Sequence, residues 1–463
     1  MSSPAYDLVV IGSGPAGQKG AIAAAKLGRR VAVIDRKEMV GGVCLHTGTI
    51  PSKTLREAIL YLTGFSEKSF YGRDYTLRSE VTVADLAFRV QKVMASEMEV
   101  VRAQLARNHI ATLHGTARFV DAHALELTSA DGSSSAVKAE RFLIACGTRP
   151  AHSAAVPLDG ERIVDSDQLL HGTSLPKNVI VVGAGVIGLE YASMLTALNI
   201  KTTVIEARPT MLDFVDREMI DALTYFMRQR GAVFRLGEKV VSVDYDAQKQ
   251  RVAACLESGK EVHGDSLLYT VGRQTNADLL NLPAAGLEAD SRGRIAVNEY
   301  FQTAVPHVYA AGDVIGFPAL ASTSMEQGRL ASCHMFGAFC ESRPHTIPYG
   351  IYTIPEISMV GKTEQELTEA KVPYEIGVAK LEELAKGQML GVDAGMLKLL
   401  FDPKTRKLLG VHMFGERATE IIHIGQAVLA FGGTIEYFRD TVFNYPTMAE
   451  AYKVAGLDGL NRL

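Results

Sequence analysis

Cysteine is scarce in this chain and badly spaced for most of its usual uses. Five occur in 463 residues (Cys44, Cys146, Cys255, Cys333 and Cys340), an odd number with no C-x-x-C pair and no cysteine–histidine metal spacing. That excludes a secreted disulfide framework and a zinc site, so no metal is expected. Cys146, Cys255, Cys333 and Cys340 read as buried structural thiols. An excess of one charge is missing too: 48 basic against 52 acidic residues leave a formal charge of −4. Nucleic acid and anionic membranes therefore have no electrostatic footprint here, and small molecules are the expected partners. No window supplies about 18 uncharged apolar residues for a membrane span. The stretch Met1–Asp7 has no basic n-region and runs straight into a strand, so a cytoplasmic protein is expected.

What is present is an ordinary globular composition, 47% apolar and 22% charged, over a length that implies two or three domains. Leu8-Val9-Val10-Ile11 is the continuous apolar run of a buried parallel strand. It enters Gly12-Ser13-Gly14-Pro15-Ala16-Gly17, then an alanine-rich helix closing at Gly28, then a second strand, Arg30–Ile34, ending at Asp35 beside Arg36. Strand, glycine turn, helix, strand and acid together form a dinucleotide fingerprint. Gly12 makes the tight turn, Gly14 lets the backbone approach a pyrophosphate, and Gly17 brings helix and strand together. The pyrophosphate sits on the positive helix end, and Asp35 accepts from a ribose. The unit recurs: Asn178–Val182 leads into Gly183-Ala184-Gly185-Val186-Ile187-Gly188, a helix through Leu198, and the strand Lys201–Ile205 ending at Glu206. Two such units imply two dinucleotides bound at once.

Between the two glycine turns lies Gly41-Gly42-Val43-Cys44-Leu45-His46-Thr47-Gly48-Thr49-Ile50-Pro51-Ser52-Lys53. This segment resembles the redox-active segment of the flavoprotein disulfide reductases, in which two cysteines stand ahead of Pro-Ser-Lys. Here Cys44 is retained and Thr49 takes the second position, so the frame of a dithiol enzyme lacks its dithiol. Other stretches carry the same resemblance. Phe142–Pro150, with Gly147, is similar to the chain crossing that leaves the FAD domain, and Tyr269–Asn276, with Gly272, to the return crossing. Thr303–Val308 and Tyr309-Ala310-Ala311-Gly312-Asp313 resemble the second FAD motif, a strand whose terminal aspartate bonds the ribityl chain. The following helix, near Ala321, would aim its N-terminus at the flavin pyrimidine, where fixed positive charge favours the reduced anion. From about Tyr349 strand patterns and then helices resemble the family's C-terminal interface domain. His423, on the apolar helix Thr419–Leu429, reads as a satisfied core histidine, and His46 as a packing residue.

The resemblance implies an α/β architecture of two Rossmann-like nucleotide-binding domains, for FAD and NAD(P), plus an α+β dimerisation domain. Its boundaries are 1–150 for the first part of the FAD domain, 151–272 for the NAD(P) domain, 273–346 for the second FAD part and 347–463 for the interface. A homodimer is expected, with higher homo-oligomers left open. In the dithiol enzymes a histidine ahead of Pro-Thr is the base. Asn444-Tyr445-Pro446-Thr447-Met448-Ala449-Glu450 puts Tyr445 there, and a phenol of pKa about 10 is a poor base at neutral pH. Glu450 then reads as a surface charge. Lys53 falls where the family places a lysine beside the flavin, and Glu190 matches the acid paired with it; these are the expected catalytic residues. Ser13, Pro15, Ala16, Arg36, Gly42, Cys44, Thr49 and Ser52 complete the expected FAD site, with Ile187 and Arg208 in the nucleotide site.

Electrons can thus enter from a nicotinamide but cannot drain into a dithiol. The whole chain resembles the soluble pyridine nucleotide transhydrogenases, which implies hydride exchange between NADPH and NAD as substrates, in ping-pong fashion through FAD. The alternative is an NAD(P)H:quinone or oxidase type of flavin reductase. Glu206 should bond the 2′-hydroxyl of NAD and repel the phosphate of NADP, and Arg208 could offset that repulsion.

Overall fold

The structure, a computed structural model, describes residues 5–36, 39–72, 74–78, 81–169, 174–340 and 346–463. Met1 to Pro4, and the residues leading up to the expected boundary at 346/347, lie outside the described residues. The chain divides into two compact units. One comprises Met1–Leu55, Ala87–Ala151 and Gly272–Ser342; the other comprises Arg56–Leu86, His152–Val271 and Arg343–Leu463.

In the first unit the strand Tyr6–Ile11 lies between Val31–Asp35 and Ser134–Ile144, parallel to both. Ala111–His114 and Val308–Ala310 extend the parallel sheet at either side. The long strand Ser134–Ile144 then turns back through Ala124–Thr128 and Thr116–Asp121 as an antiparallel meander, joined by the Ser129–Ser133 turn. The apolar run is continuous because both faces of the sheet are covered. Val9, Ile11, Ala32, Ile34, Phe142 and Ile144 pack with Phe119 and Leu125 on one face. Leu8, Val10, Val31, Val33 and Leu143 pack with Ala21, Ala24, Ala331 and Met335 on the other. The helices on that second face, Pro15–Lys26 and Ala321–Met335, approach closely enough that a Cβ on Gly328 would stand 2.0 Å from the Ala16 carbonyl oxygen. Ser332 Oγ donates to the Gly20 carbonyl at 2.8 Å across the same contact. The two expected crossings meet, Thr148–Pro150 pairing antiparallel with Arg273–Thr275.

The second unit repeats the parallel plan. Its five strands run in the order Val233–Leu236, Lys201–Glu206, Asn178–Val182, Ser266–Tyr269 and Ile163–Asp165. A three-stranded antiparallel meander, Val240–Asp246, Arg251–Leu256 and Glu261–Gly264, packs its apolar residues onto the same core. The C-terminal part is a five-stranded antiparallel sheet ordered Tyr349–Ile351, Glu356–Gly361, Leu408–Gly415, Met396–Phe401 and Glu375–Lys380. Leu397, Leu399, Phe401, Val411 and Met413 bury against Ile422, Phe438 and Tyr452 from the helices that follow.

Four sequence expectations are corrected. Cys333 and Cys340 are not free thiols but a disulfide, their Cα atoms 6.2 Å apart, at the C-terminal end of the helix Ala321–Met335. The helix end and the short tail Phe336-Gly337-Ala338-Phe339 bring together two cysteines that share no C-x-x-C spacing. His423 is exposed in the single chain, its Nδ1 2.7 Å from Gln426 Oε1, because position 423 faces away from the sheet that Ile422 covers. Glu450 begins the helix Glu450–Leu460 with its Oε2 buried and without a hydrogen-bond partner, so it is no surface charge. The strand expected from Thr303 begins only at Val308, since Thr303 Oγ1 accepts from the Val305 amide in a local turn.

Candidate active site

The first glycine turn is shaped by contacts that only glycine permits. Gly12 has φ +105° and a Cβ there would sit 2.3 Å from the Ala145 carbonyl oxygen; at Gly17 it would sit 1.9 Å from the Gly12 carbonyl oxygen. At Gly14 a Cβ would meet nothing within 4 Å. Gly12 and Gly17 are therefore set by the protein's own packing, while Gly14 faces open space at the start of a helix with Pro15 at its N-terminus. No side chain caps that helix, so its first amides remain to be met by a ligand. Asp35 is already oriented: its Oδ2 accepts from the Ser13 amide at 2.7 Å and Ser13 Oγ at 2.6 Å, and its Oδ1 from the Arg36 amide at 2.8 Å.

Ser13 also ties this turn to the segment that begins at Gly41, accepting from the Gly41 amide at 2.9 Å. Gly42, at φ +65°, lies so close that a Cβ would be 2.8 Å from Gly14 Cα. From there the short helix Gly42–His46 carries Cys44, and the helix Thr49–Leu62 carries Thr49, Ser52 and Lys53. Burial raises the Cys44 thiol above its usual range, and the Thr49 hydroxyl and Lys53 only partly offset this. Ser52 Oγ donates to the Gly48 carbonyl at 2.8 Å, and His46 Nε2 lies 3.0 Å from the Val40 carbonyl oxygen, a packing role.

The second chain crossing completes this unit. Thr148 Oγ1 donates to Asp313 Oδ2 at 3.2 Å and accepts from Arg273 Nε at 2.7 Å. Gly312, at φ +84°, donates its amide to Gln327 Oε1 at 2.8 Å. Gly147 and Gly272 both have positive φ, with open space where a Cβ would stand. The Asn276 amide donates to the Gly147 carbonyl at 3.1 Å, and the Ala151 amide to the Gly272 carbonyl at 3.1 Å. Ala321 opens a helix whose N-terminus no side chain caps. Gln18, whose Nε2 donates to the Ser13 carbonyl at 2.8 Å, and Gln327, Thr148 and Arg273 hold this geometry and were not singled out from sequence; a glutamine inside the alanine- and glycine-rich helix Pro15–Lys26 was a signal for Gln18 alone.

In the second unit the arrangement recurs. Cβ atoms on Gly183 and Gly188 would stand 2.7 Å from the Thr270 carbonyl oxygen and 1.9 Å from the Gly183 carbonyl oxygen, while one on Gly185 would meet nothing within 4 Å. Ile187 lies half-buried in the first turn of the helix Val186–Ala197. Glu206 Oε2 accepts from the Ala184 amide at 2.8 Å, and Oε1 from the Arg208 amide at 3.1 Å and Arg208 Nε at 3.0 Å. Burial acts to raise this carboxyl, but the Arg208 side chain and the two amides outweigh it and hold it below the usual carboxylate range. Glu190, buried on the same helix as Ile187, accepts from the Tyr352 amide at 2.9 Å. Lys53 belongs to the first unit and Glu190 to the second.

Two glycine turns of one design, each followed by a helix and a strand ending in an acid, give the chain two nucleotide-binding units of Rossmann type. The chain belongs to the pyridine nucleotide-disulphide oxidoreductases: the model of that family matches residues 6–328, and the model of its dimerisation domain matches residues 347–455. It is 52% identical over 459 residues to a soluble pyridine nucleotide transhydrogenase of Mycobacterium tuberculosis, covering 99% of this chain and 98% of that protein. A protein of the same description from Escherichia coli is 48% identical over 464 residues, with 99% and 98% covered. Among solved structures, LpdA from Mycobacterium tuberculosis matches with a TM-score of 0.90 at 26% identity, covering 97% of this chain and 99% of that one. The HOCl-induced flavoprotein disulfide reductase RclA from Escherichia coli matches with a TM-score of 0.87 at 26% identity, covering 98% and 99%.

Proposed function

We propose that this protein is an FAD-dependent transhydrogenase that moves a hydride between NADPH and NAD and has no redox-active disulfide at the flavin. FAD would supply a two-electron acceptor that takes hydride from one nicotinamide and gives it to another. The reading is carried by position 49, where a threonine stands five residues after Cys44 and a second cysteine would be needed to receive electrons. Full-length relatives described as soluble pyridine nucleotide transhydrogenases, 48–52% identical, support it. The disulfide Cys333–Cys340 is a separate feature. Cys44 is free and takes no part in it.

The cradle fits the group. Gly14 opens onto space with helix amides beyond it, Asp35 is held by Ser13 for a ribose, and Asp313 is held by Thr148 for the ribityl chain. Lys53 is assigned as the cation beside the flavin ring, with Glu190 as its partner, and the second glycine turn with Glu206 and Arg208 as the site that NADPH and NAD occupy in turn. Hydride transfer between the rings needs no proton, so Tyr445 in place of a basic histidine costs the reaction nothing. We assign the domains 1–150, 151–272, 273–346 and 347–463 to FAD, NAD(P), FAD and dimer interface. A cytoplasmic homodimer is the assembly proposed; no helix among the described residues is long and apolar enough to cross a membrane.

The test is anaerobic. One equivalent of NADPH should bleach the yellow protein without a long-wavelength thiolate band, and NAD should restore the colour with stoichiometric NADH. Bleaching that NAD leaves unchanged while a quinone or air reverses it would replace this reading with a flavin reductase.

A further inference from the structure

The two dinucleotide units hold their acids alike through the main chain and differ in the side chains, where Ser13 Oγ donates to Asp35 and Arg208 to Glu206. In both, the acid ending the second strand accepts from the amide just after the first glycine, Ser13 for Asp35 and Ala184 for Glu206. In both, it also accepts from a nearby main-chain amide, Arg36 or Arg208. Only at the second acid does a guanidinium close over the carboxylate as well, Arg208 Nε at 3.0 Å from Oε1 and an Nη at 3.3 Å from Oε2. Glu206 is 8% exposed, whereas the Arg208 side chain is half exposed. The arginine therefore lies as an exposed outer partner over a buried inner one. Asp213, 3.7 Å from an Arg208 Nη, is the second acid it leans on. The loop stays in place without the ion pair, because the Gly237 amide donates to the Arg208 carbonyl at 2.9 Å and the Glu238 amide to the Glu206 carbonyl at 3.0 Å.

We propose that Arg208 is a two-position reader of the nucleotide 2′-substituent, resting on Glu206 when that substituent is a hydroxyl and leaving it for the phosphate when it is not. This rests on the assignment of the second unit as the shared nucleotide site. A bare glutamate selects against the phosphate by charge, and a bare arginine selects for it. Coupling the two lets each nucleotide meet a compensated group: the hydroxyl finds an acceptor whose charge is already paired, and the phosphate finds a cation that has exchanged one anion for another. A half-exposed ion pair is weak, so exchanging it for a phosphate is cheap. Such flattened discrimination suits a site that takes both nucleotides in one cycle.

The test is equilibrium titration of the FAD-loaded protein with ADP-ribose and 2′-phospho-ADP-ribose, which lack nicotinamide and report binding without turnover. Wild type should bind both within about tenfold of each other, the spread of a single charge-assisted bond. Arg208→Gln should weaken the phosphorylated ligand about tenfold or more and ADP-ribose less than about threefold, and Arg208→Lys should recover part of the loss. Glu206→Gln should tighten the phosphorylated ligand, and that gain should vanish when Arg208→Gln is also present. An equal gain in both backgrounds would mean that Glu206 acts by repulsion alone, and equal losses of both ligands in Arg208→Gln would mean a structural arginine; either overturns the reader. If wild type binds neither ligand, the nucleotide assignment of the second unit falls with it.

Discussion

Replacing Lys398 with methionine should destabilise the protein by several kcal/mol, about 3–5. Lys398 lies on the strand Met396–Phe401 and is fully buried, yet its ammonium contacts three carboxylates: Asp216 at 3.0 Å, Glu218 at 3.0 Å, and Glu364. Asp216 is itself 1% exposed, caps the helix Arg217–Gln229 through the Glu218 amide, and accepts from the Glu364 amide. Burial alone would lower the lysine pKa, but Glu364 and Asp216 outweigh it and raise it. Burial lowers the pKa of His412 beside the cluster, which disfavours a second cation there. Methionine keeps much of the volume and removes the charge, leaving Asp216 uncompensated. Breaking a buried pair in this way costs about 3–5 kcal/mol, a fall of roughly 5–8 °C in melting temperature for a unit of this size. Because the lysine pKa is raised on folding, its contribution is fully present below the unfolded value of about 10.4 and is lost only as pH rises through the folded one. The wild-type advantage should therefore be flat from neutral pH to about pH 9. Calorimetry at pH 7 and 9 reads this directly. A loss under about 1 kcal/mol at pH 7, or one that differs between the two pH values, would refute the argument.

Thr49→Cys, which restores the second cysteine, should give no dihydrolipoamide turnover, since Tyr445 still stands in place of the base; measurable turnover would show that Tyr445 or another group performs that role. Gly14→Ala and Gly17→Ala should part ways. The first puts a methyl into open space where a pyrophosphate is expected, and should fold but lose FAD absorbance; the second puts it 1.9 Å from the Gly12 carbonyl oxygen and should lower the melting temperature even of apoprotein. Reducing the Cys333–Cys340 disulfide should cost about 2 kcal/mol, the loop-closure entropy for so short a span, without changing flavin bleaching by NADPH. Thiol counts before and after reduction and the paired melting curves check it.

Two parallel βαβ units, and a threonine at position 49 in a segment that keeps Cys44, were legible in the residues alone. Both are local: continuous apolar runs bury on two faces, and a glycine turn followed by a helix is set by neighbours in sequence. Partners distant along the chain were decided only by the tertiary structure. Thr148 meets Asp313, Gln327 meets Gly312, and Lys398 gathers Asp216 and Glu364, because sheet order and helix packing bring them together and no spacing predicts it. The same holds for three corrected readings. Cys333 and Cys340 pair because a helix end and its tail turn toward each other. His423 is exposed because of its angle around an otherwise apolar helix. Glu450 is half-buried because the helix it begins packs Gly377 against Ala455. Arg208 was legible as a neighbour of Glu206, but the clamp it forms was not: two residues apart, an acid and a base can face the same way or opposite ways, and only the loop tied to Gly237 and Glu238 decides which.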